Sequence, residues 1–599
     1  MEGKRTARRC GALPLDGEAV LFRVWAPKAS AAELVLIDGG TRHVVPMEAE
    51  PPGHFRGVAD APEGRRYAIR LDGSEELPDP CSLWQPDGPM GPSALVRPER
   101  FAWTDGTWRG VARRDLVFYE LHVGTFTPEG TFDAVIPRLP DLVDLGITAV
   151  EIMPVAQGPG PRGWGYDGVC PYAAQHSCGG PHGLARLADA CHAHGLALFL
   201  DAVYNHFGPE GNVLPRFGPY LTDAHKTPWG AAVNFDGPGS DGVRDFVLDN
   251  ARMWLEEFHL DGLRLDAVHA VIDLGARHIL RSLKEAAEGV ARRTGRHVHL
   301  VAESDLNDPR LLHDPEQGGY GLDAQWSDDF HHAVHALLTG ERHGYYADYG
   351  APLQVAQALA KPYLFAWHYS GCRGRKHGAP ADGLGGERFI ACLQNHDQVG
   401  NRARGDRFGS LLSPPQRRLA ACLLLLSPWT PLLFMGEEYG EEAPFPYFCS
   451  FQDEALIRAV REGRKREFAL AGDGVPLPDA EETFASARLS WSWPDGSERA
   501  RLRRLYRDLL AARREWPGLR DGAAAEARLL PDAEAGPLLE LRRGSVRAFF
   551  NLTGEGAALP PPGAGETVLL RSESDRYGGA GGDGLPPFGC VVLGPGDSE

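Results

Sequence analysis

The chain has 599 residues, 43% of them hydrophobic and 24% charged, and a formal net charge of -19. That is the composition of a folded globular protein with material for more than one domain. The acidic balance excludes a polyanion-binding face, so neither nucleic acid nor an anionic membrane is an expected partner; it suits an uncharged small-molecule substrate.

The opening residues, MEGKRTARRCGALPLDG, are basic but hold no apolar run of the kind a signal peptide needs. Residues 19–100 give short alternating runs, AVLFRVWAP, AELVLID and RYAIRL, separated by Gly, Pro and Asp. They predict a small antiparallel β-sandwich, assigned to residues 1–105. From about residue 115, apolar strand-like runs alternate with amphipathic helix-like stretches such as DAVIPRLPDLVDLG and HGLARLADACHAHG. The runs DLVFYELHV, ITAVEIMPV, LALFLDAVYNH, LDGLRLDAV, HVHLVAESD, LDAQWSD, FIACLQNHD and PLLFMGEE make eight strand candidates. Their near-continuous apolar character marks burial on both faces. The fold class expected is therefore α/β: a (β/α)8 TIM barrel over residues 106–520, closed by a helix at 498–516. Residues 521–599 read as a C-terminal antiparallel β-domain, with ESDRYGGAGGDGLPP as a flexible loop inside it. The longest apolar stretch, LAACLLLLSPWTPLLFM, is broken by two prolines and is no membrane span. Ten scattered cysteines without CxxC pairs predict reduced thiols and a cytoplasmic protein.

Five of the strand candidates finish in charged or amide side chains: LFLDAVYNH, LRLDAVH, LVAESD, AQWSDD and CLQNHD. In a (β/α)8 barrel those ends converge on one rim, where active sites form. Asp201, Asn205, His206, Arg264, Asp266, Glu303, Asp305, Asp328, His396 and Asp397 are thus placed to share a pocket. Caps on the following helices are the plain alternative for a single Asp or Asn. Caps do not explain Arg264 and Asp266, two apart on one strand face, where unpaired charges are costly. Several carboxylates without metal-ligand spacing suit glycoside hydrolysis, which needs one ionised carboxylate as nucleophile and one protonated carboxyl as acid. An Arg beside the first keeps it ionised, and desolvation protonates the second.

The stretches DAVYNH (201–206), GLRLDAVHA (262–270), AESD (302–305) and QNHDQ (394–398) resemble the four short motifs of the α-amylase superfamily of retaining α-glucan enzymes. The resemblance implies Asp266 as nucleophile, Glu303 as acid/base and Asp397 as transition-state stabiliser. It also implies Arg264, His206 and His396 around the attacked glucose, with Asp201 in the first motif and Tyr166 of GWGYDG stacked on the sugar. Within that superfamily, RGWGYDGV, ESDLNDPR, GRKHG, LQNHDQVGNRARGDR and REGRKREF resemble the maltooligosyltrehalose trehalohydrolase family. Its members cleave the α-1,4 bond next to the terminal trehalose of maltooligosyltrehalose. The rival is the branching-enzyme family, which usually carries a second Glu where this chain has Ser304 and an SHDE-like motif around Asp397. A non-catalytic glucan-binding protein is opposed by the intact carboxylates and Arg264. Trp326, Asp328, Gln398 and Asn401, with His269 beyond the strand end, are the candidates for the acceptor side, which malto-oligosaccharides would share.

No cofactor and no required metal is expected. His331 and His335 in HHAVH have helical spacing compatible with a metal but no third ligand, and read as an ordinary helix. Trp25 and Trp84 read as interdomain or core packing before sugar platforms.

Overall fold

The computed structural model describes residues 8–468, 474–520, 525–530 and 536–596. The N-terminal region is built from two antiparallel sheets. One runs in the order Gly11–Pro14, Ala19–Trp25, His54–Asp60, Glu48–Glu50, and the other Thr41–Pro46, Ala32–Asp38, Arg66–Leu71, Glu76–Leu77. In Ala19–Trp25 every second side chain (Val20, Phe22, Val24) is buried, the period of two that gives a strand one inward face. Phe22 meets Tyr67 of the opposite sheet edge-on at 5.0 Å.

Eight parallel strands close a barrel: β1 (Phe118–Leu121), β2 (Ala149–Ile152), β3 (Ala197–Ala202), β4 (Gly262–Leu265), β5 (His299–Ala302), β6 (Ala324–Trp326), β7 (Phe389–Cys392) and β8 (Thr430–Phe434). These are the eight runs expected from the sequence, and every residue in them is buried. Phe118, Ala149, Phe199, Val301, Trp326, Ile390 and Leu432 fill the barrel interior. A Cβ at position 262 would run into the Phe199 ring, so only glycine lets β4 lie against β3 there.

The predicted helix over 133–146 is not continuous. It forms as Phe132–Val135, a 3-10 turn at Ile136–Arg138, and Leu139–Leu145. Pro137 and Pro140 lack the N–H groups a continuous helix would use. The helix Glu498–Glu515 packs on Pro414–Leu426 in the outer ring. The C-terminal sheet runs Glu526–Leu530, Leu538–Arg543, Val546–Asn551, Cys590–Pro595, Glu566–Arg571. The Gly-rich segment read as flexible is pinned at its start: Glu573 is paired with Arg418 at 2.6 Å, and Tyr577 donates to Asp508 at 2.7 Å. Trp25 and Trp84 both lie between the N-terminal sheets and the barrel. Trp25 sits edge-on to Tyr220 at 5.4 Å, and the Trp84 indole donates to His176 at 3.2 Å. Among the described residues, no helix is long and apolar enough to cross a membrane.

Candidate active site

Asp201, on β3, stands in register with Arg264 on β4, and Asp266 follows two residues later. That places both carboxylates around one buried guanidinium. Arg264 is fully buried and donates through Nη1 to Asp266 Oδ1 at 2.6 Å and to both oxygens of Asp201 at 2.9 Å. Asn205 donates its amide to Asp266 Oδ2 at 3.0 Å, so both oxygens of that carboxylate are held as acceptors. Beneath the guanidinium lies the Trp326 ring, 4.4 Å away.

Glu303, one residue past β5, is held differently. Its Oε2 accepts the Ala267 backbone N–H at 2.6 Å and lies 3.7 Å from Arg264 Nη2. Ala267 sits in the left-handed region, at φ +39°, which turns its N–H toward the carboxylate. Burial pushes the Glu303 carboxyl up to about 8, against the pull of Arg264 and with help from Asp266 and Asp397. Asp201 is raised by burial to about 6, opposed by Arg264. Asp328 opens the helix Asp328–Thr339 and is raised by burial to about 7, with Asp397 adding to the shift.

Opposite Arg264, His396 links three elements. Its Nε2 lies 2.6 Å from Tyr166 Oη and 3.4 Å from Asp397 Oδ2. Tyr166 Oη in turn donates to Asp201 Oδ2 at 2.5 Å, and its ring stacks on His396. His206 bonds Asn205 and the Tyr166 carbonyl, each at 3.0 Å. Asn401 donates to Asp397 Oδ1 at 3.4 Å, and Gln398 accepts from Tyr345 at 3.3 Å.

The structure thus gathers Tyr166, Asp201, His206, Arg264, Asp266, Glu303, His396, Asp397, Gln398, Asn401 and Asp328 at the rim. Trp326 is placed elsewhere: 4% exposed, its ring is part of the barrel interior, because the last residue of β6 points inward. His269 lies exposed on the short turn Val268–Ala270, without a hydrogen bond or ion pair to the network.

Sequence reasoning missed four residues. Glu120, next to last in β1, clamps His396, and Glu151, next to last in β2, lies beside it with neither oxygen hydrogen-bonded. Burial pushes Glu151 well above the usual carboxylate range. The signal was there, since FYEL and AVEI put a carboxylate near the end of an apolar strand just as LRLDAV does. Trp229 and Tyr345 carried none. Trp229 belongs to the hairpin Leu221–Thr227/Gly230–Val233, stacks on His206 at 4.7 Å and is half exposed. Among the described residues, no three His, Cys, Asp or Glu side chains are arranged to hold a metal. Both His331 nitrogens are used, at 2.6 Å from the Leu393 carbonyl and 2.9 Å from Tyr346 Oη, and His335 bonds Glu341.

Comparison with known proteins agrees with this geometry. The model described as alpha amylase, catalytic domain, matches residues 95–217, and that of carbohydrate-binding module 48 (isoamylase N-terminal domain) matches 9–82. The malto-oligosyltrehalose trehalohydrolase of Saccharolobus solfataricus is 46% identical over 503 residues, 84% of this chain and 86% of that protein. The chain belongs to the malto-oligosyltrehalose trehalohydrolase family. A solved structure of a putative alpha amylase from Salmonella typhimurium superposes on this trehalohydrolase-family chain with a TM-score of 0.87, at 37% identity, covering 98% of this chain and 100% of that one. The rival reading is distant: the 1,4-alpha-glucan branching enzyme of Mycobacterium bovis is 27% identical over 71% of this chain and 60% of its own length.

Proposed function

We propose that this trehalohydrolase-family enzyme hydrolyses the α-1,4-glucosidic bond next to the terminal trehalose of maltooligosyltrehalose, releasing trehalose, with retention at the cleaved sugar. The observation that carries the reading is the unequal treatment of two carboxylates. Asp266 accepts from Arg264 and Asn205 through its two oxygens, while Glu303 is desolvated and raised to about 8. Asp266 attacks the anomeric carbon while Glu303 gives its proton to the departing glycosidic oxygen. Glu303, now a carboxylate, then takes a proton from the water that releases the sugar from Asp266. Asp397 sits across from this pair beside His396, where a negative charge stabilises the cation-like transition state. Tyr166, His206, Asp201, Asp328, Gln398 and Asn401 bind the sugars on either side of the cleavage point. Ten free cysteines support a cytoplasmic location.

Product analysis on maltooligosyltrehalose tests the proposal. Trehalose and a shortened maltooligosaccharide are expected. New branch points in amylose with no trehalose released would point instead to a transferase.

A further inference from the structure

Glu120 has no place in the reaction as just described, yet it spends both carboxylate oxygens on one site residue. It is the penultimate residue of β1, is 1% exposed, and grips one residue with both oxygens: Oε2 accepts the His396 backbone N–H at 3.0 Å, and Oε1 faces His396 Nδ1 at 2.5 Å. The other ring nitrogen, Nε2, faces Tyr166 Oη at 2.6 Å. A count of protons fixes what the ring must carry. Asp201 already accepts Arg264 through both oxygens, so it acts as a carboxylate and takes the single Tyr166 proton at 2.5 Å. Tyr166 can then only accept from Nε2, which must hold a hydrogen; with Glu120 accepting as a carboxylate through both oxygens, Nδ1 holds another. A neutral imidazole has only one.

We propose that Glu120 is a positioning residue that keeps His396 an imidazolium, so that the ring donates to Tyr166 and faces Asp397 with a full positive charge. The inference rests on the glycosidase reading of this site. One hydrogen-bonded chain then crosses the barrel, Glu120–His396–Tyr166–Asp201–Arg264–Asp266, with acidic and basic members alternating around the tyrosine. It ties a carboxylate within β1 to the carboxylate after β4.

The charges facing the ring support the assignment. Asp397 comes from its own segment, Glu120 from β1 and Asp201 from β3, all favouring a cation, while Glu151 from β2 is pushed up by burial and stays uncharged. Arg264 from β4 opposes it, and His122 from the turn after β1, lowered by burial to about 4, is neutral there. Trp164 and Trp326 close the remaining sides, with ring centroids at 5.6 Å and 6.0 Å. Burial disfavours the charge, but Asp397 and Glu120 outweigh it and raise His396 to about 9.

The test uses the full chain, Glu120→Gln and Glu120→Asp, and α-maltosyl fluoride, whose leaving group needs little help from Glu303. The wild type is expected to hold its rate up to about pH 9. Glu120→Gln should lower kcat on the order of 10- to 100-fold, as loss of an orienting partner does. KM should change less, and the alkaline limb should move down by about one to three pH units. Glu120→Asp keeps the charge and should recover part of both. A Glu120→Gln enzyme with wild-type kcat and limb overturns the proposal. If that variant fails to fold, nitrogen NMR of the wild type decides, with His396 assigned by the signal missing in His396→Asn: two protonated ring nitrogens at pH 7 uphold it, and a neutral ring overturns it. A wild type that hydrolyses the fluoride but frees no trehalose refutes the substrate reading alone. If the wild type does not hydrolyse the fluoride, the glycosidase reading fails, and the NMR result still decides the charge on His396.

Discussion

Glu303 lies 3.7 Å from the Arg264 guanidinium, beyond hydrogen-bond reach, although the buried Arg264 and the half-buried Glu303 line the same cleft. A closer approach would pair the two charges and ionise Glu303. At this distance desolvation dominates, and the carboxyl rises from its ordinary 4.5 to about 8. The proton is therefore present at neutral pH for a departing sugar, and kcat/KM on the glycosidic substrate should fall above about pH 8.

The same shift has a sign for stability. A carboxyl raised in the folded state stabilises fully below its unfolded value, near 4.5, and loses that contribution as pH climbs through about 8. Glu303→Gln, an uncharged isostere, should match the wild type near pH 4 and unfold at a higher temperature than it at pH 9. Thermal melts at the two pH values check this; a variant less stable at pH 9 would contradict the cause given for the shift.

Replacing one side of the Arg264 cluster should have opposite consequences from replacing the other. Asp266→Asn leaves Arg264 paired with Asp201, so the fold should survive while turnover falls on the order of ten-thousandfold or more. Arg264→Met strands Asp201 and Asp266 together, two buried carboxylates without their cation. It should cost about 3–5 kcal/mol of stability. Turnover and denaturant unfolding, measured on both variants, separate the two roles.

The eight strands were legible because a parallel barrel buries both strand faces, which leaves apolar runs such as ALFL and GLRL in plain view. Arg264 and Asp266 were legible because charges in such a run are costly unless paired. Glu120, paired with His396, obeys the same rule, and Glu151 meets it by giving up its charge; both were overlooked, since a single carboxylate near a strand end also reads as a cap. Trp326 was misplaced by rim position alone: sequence shows that a residue ends a strand, not whether its ring turns up to the cleft or down into the barrel. Trp229 gave no sign at all, because contact with His206 depends on how a hairpin folds back over the site. The break in the predicted helix over 133–146 needed only its two prolines.

The position of Trp326 makes its own prediction. Its ring supports Arg264 from below at 4.4 Å and helps fill the barrel, so Trp326→Ala opens a cavity and should cost about 3–5 kcal/mol. Trp326→Phe keeps a smaller ring there. It should lower kcat by letting Arg264 and Asp266 shift, with KM little changed. A rise in KM at unchanged kcat would instead mean that the ring touches the sugar.

Far from the cleft, Arg418 joins the barrel to the C-terminal sheet. It lies on the outer helix Pro414–Leu426, is 2% exposed, and pairs with Glu573 through two bonds of 2.8 Å and 2.6 Å, with Glu498 at 2.6 Å as a further partner. Bonds this short to a buried carboxylate mean that removing the cation leaves Glu573 charged and unpaired. Arg418→Met should therefore lose about 3–5 kcal/mol in denaturant unfolding, with turnover at low temperature intact because no site residue is touched. Adding Glu573→Met to it removes the stranded charge and should recover much of the loss, since apolar pairs can replace buried ion pairs at little net cost. A double variant as unstable as the single one would place the stabilising contact elsewhere, most directly at Glu498.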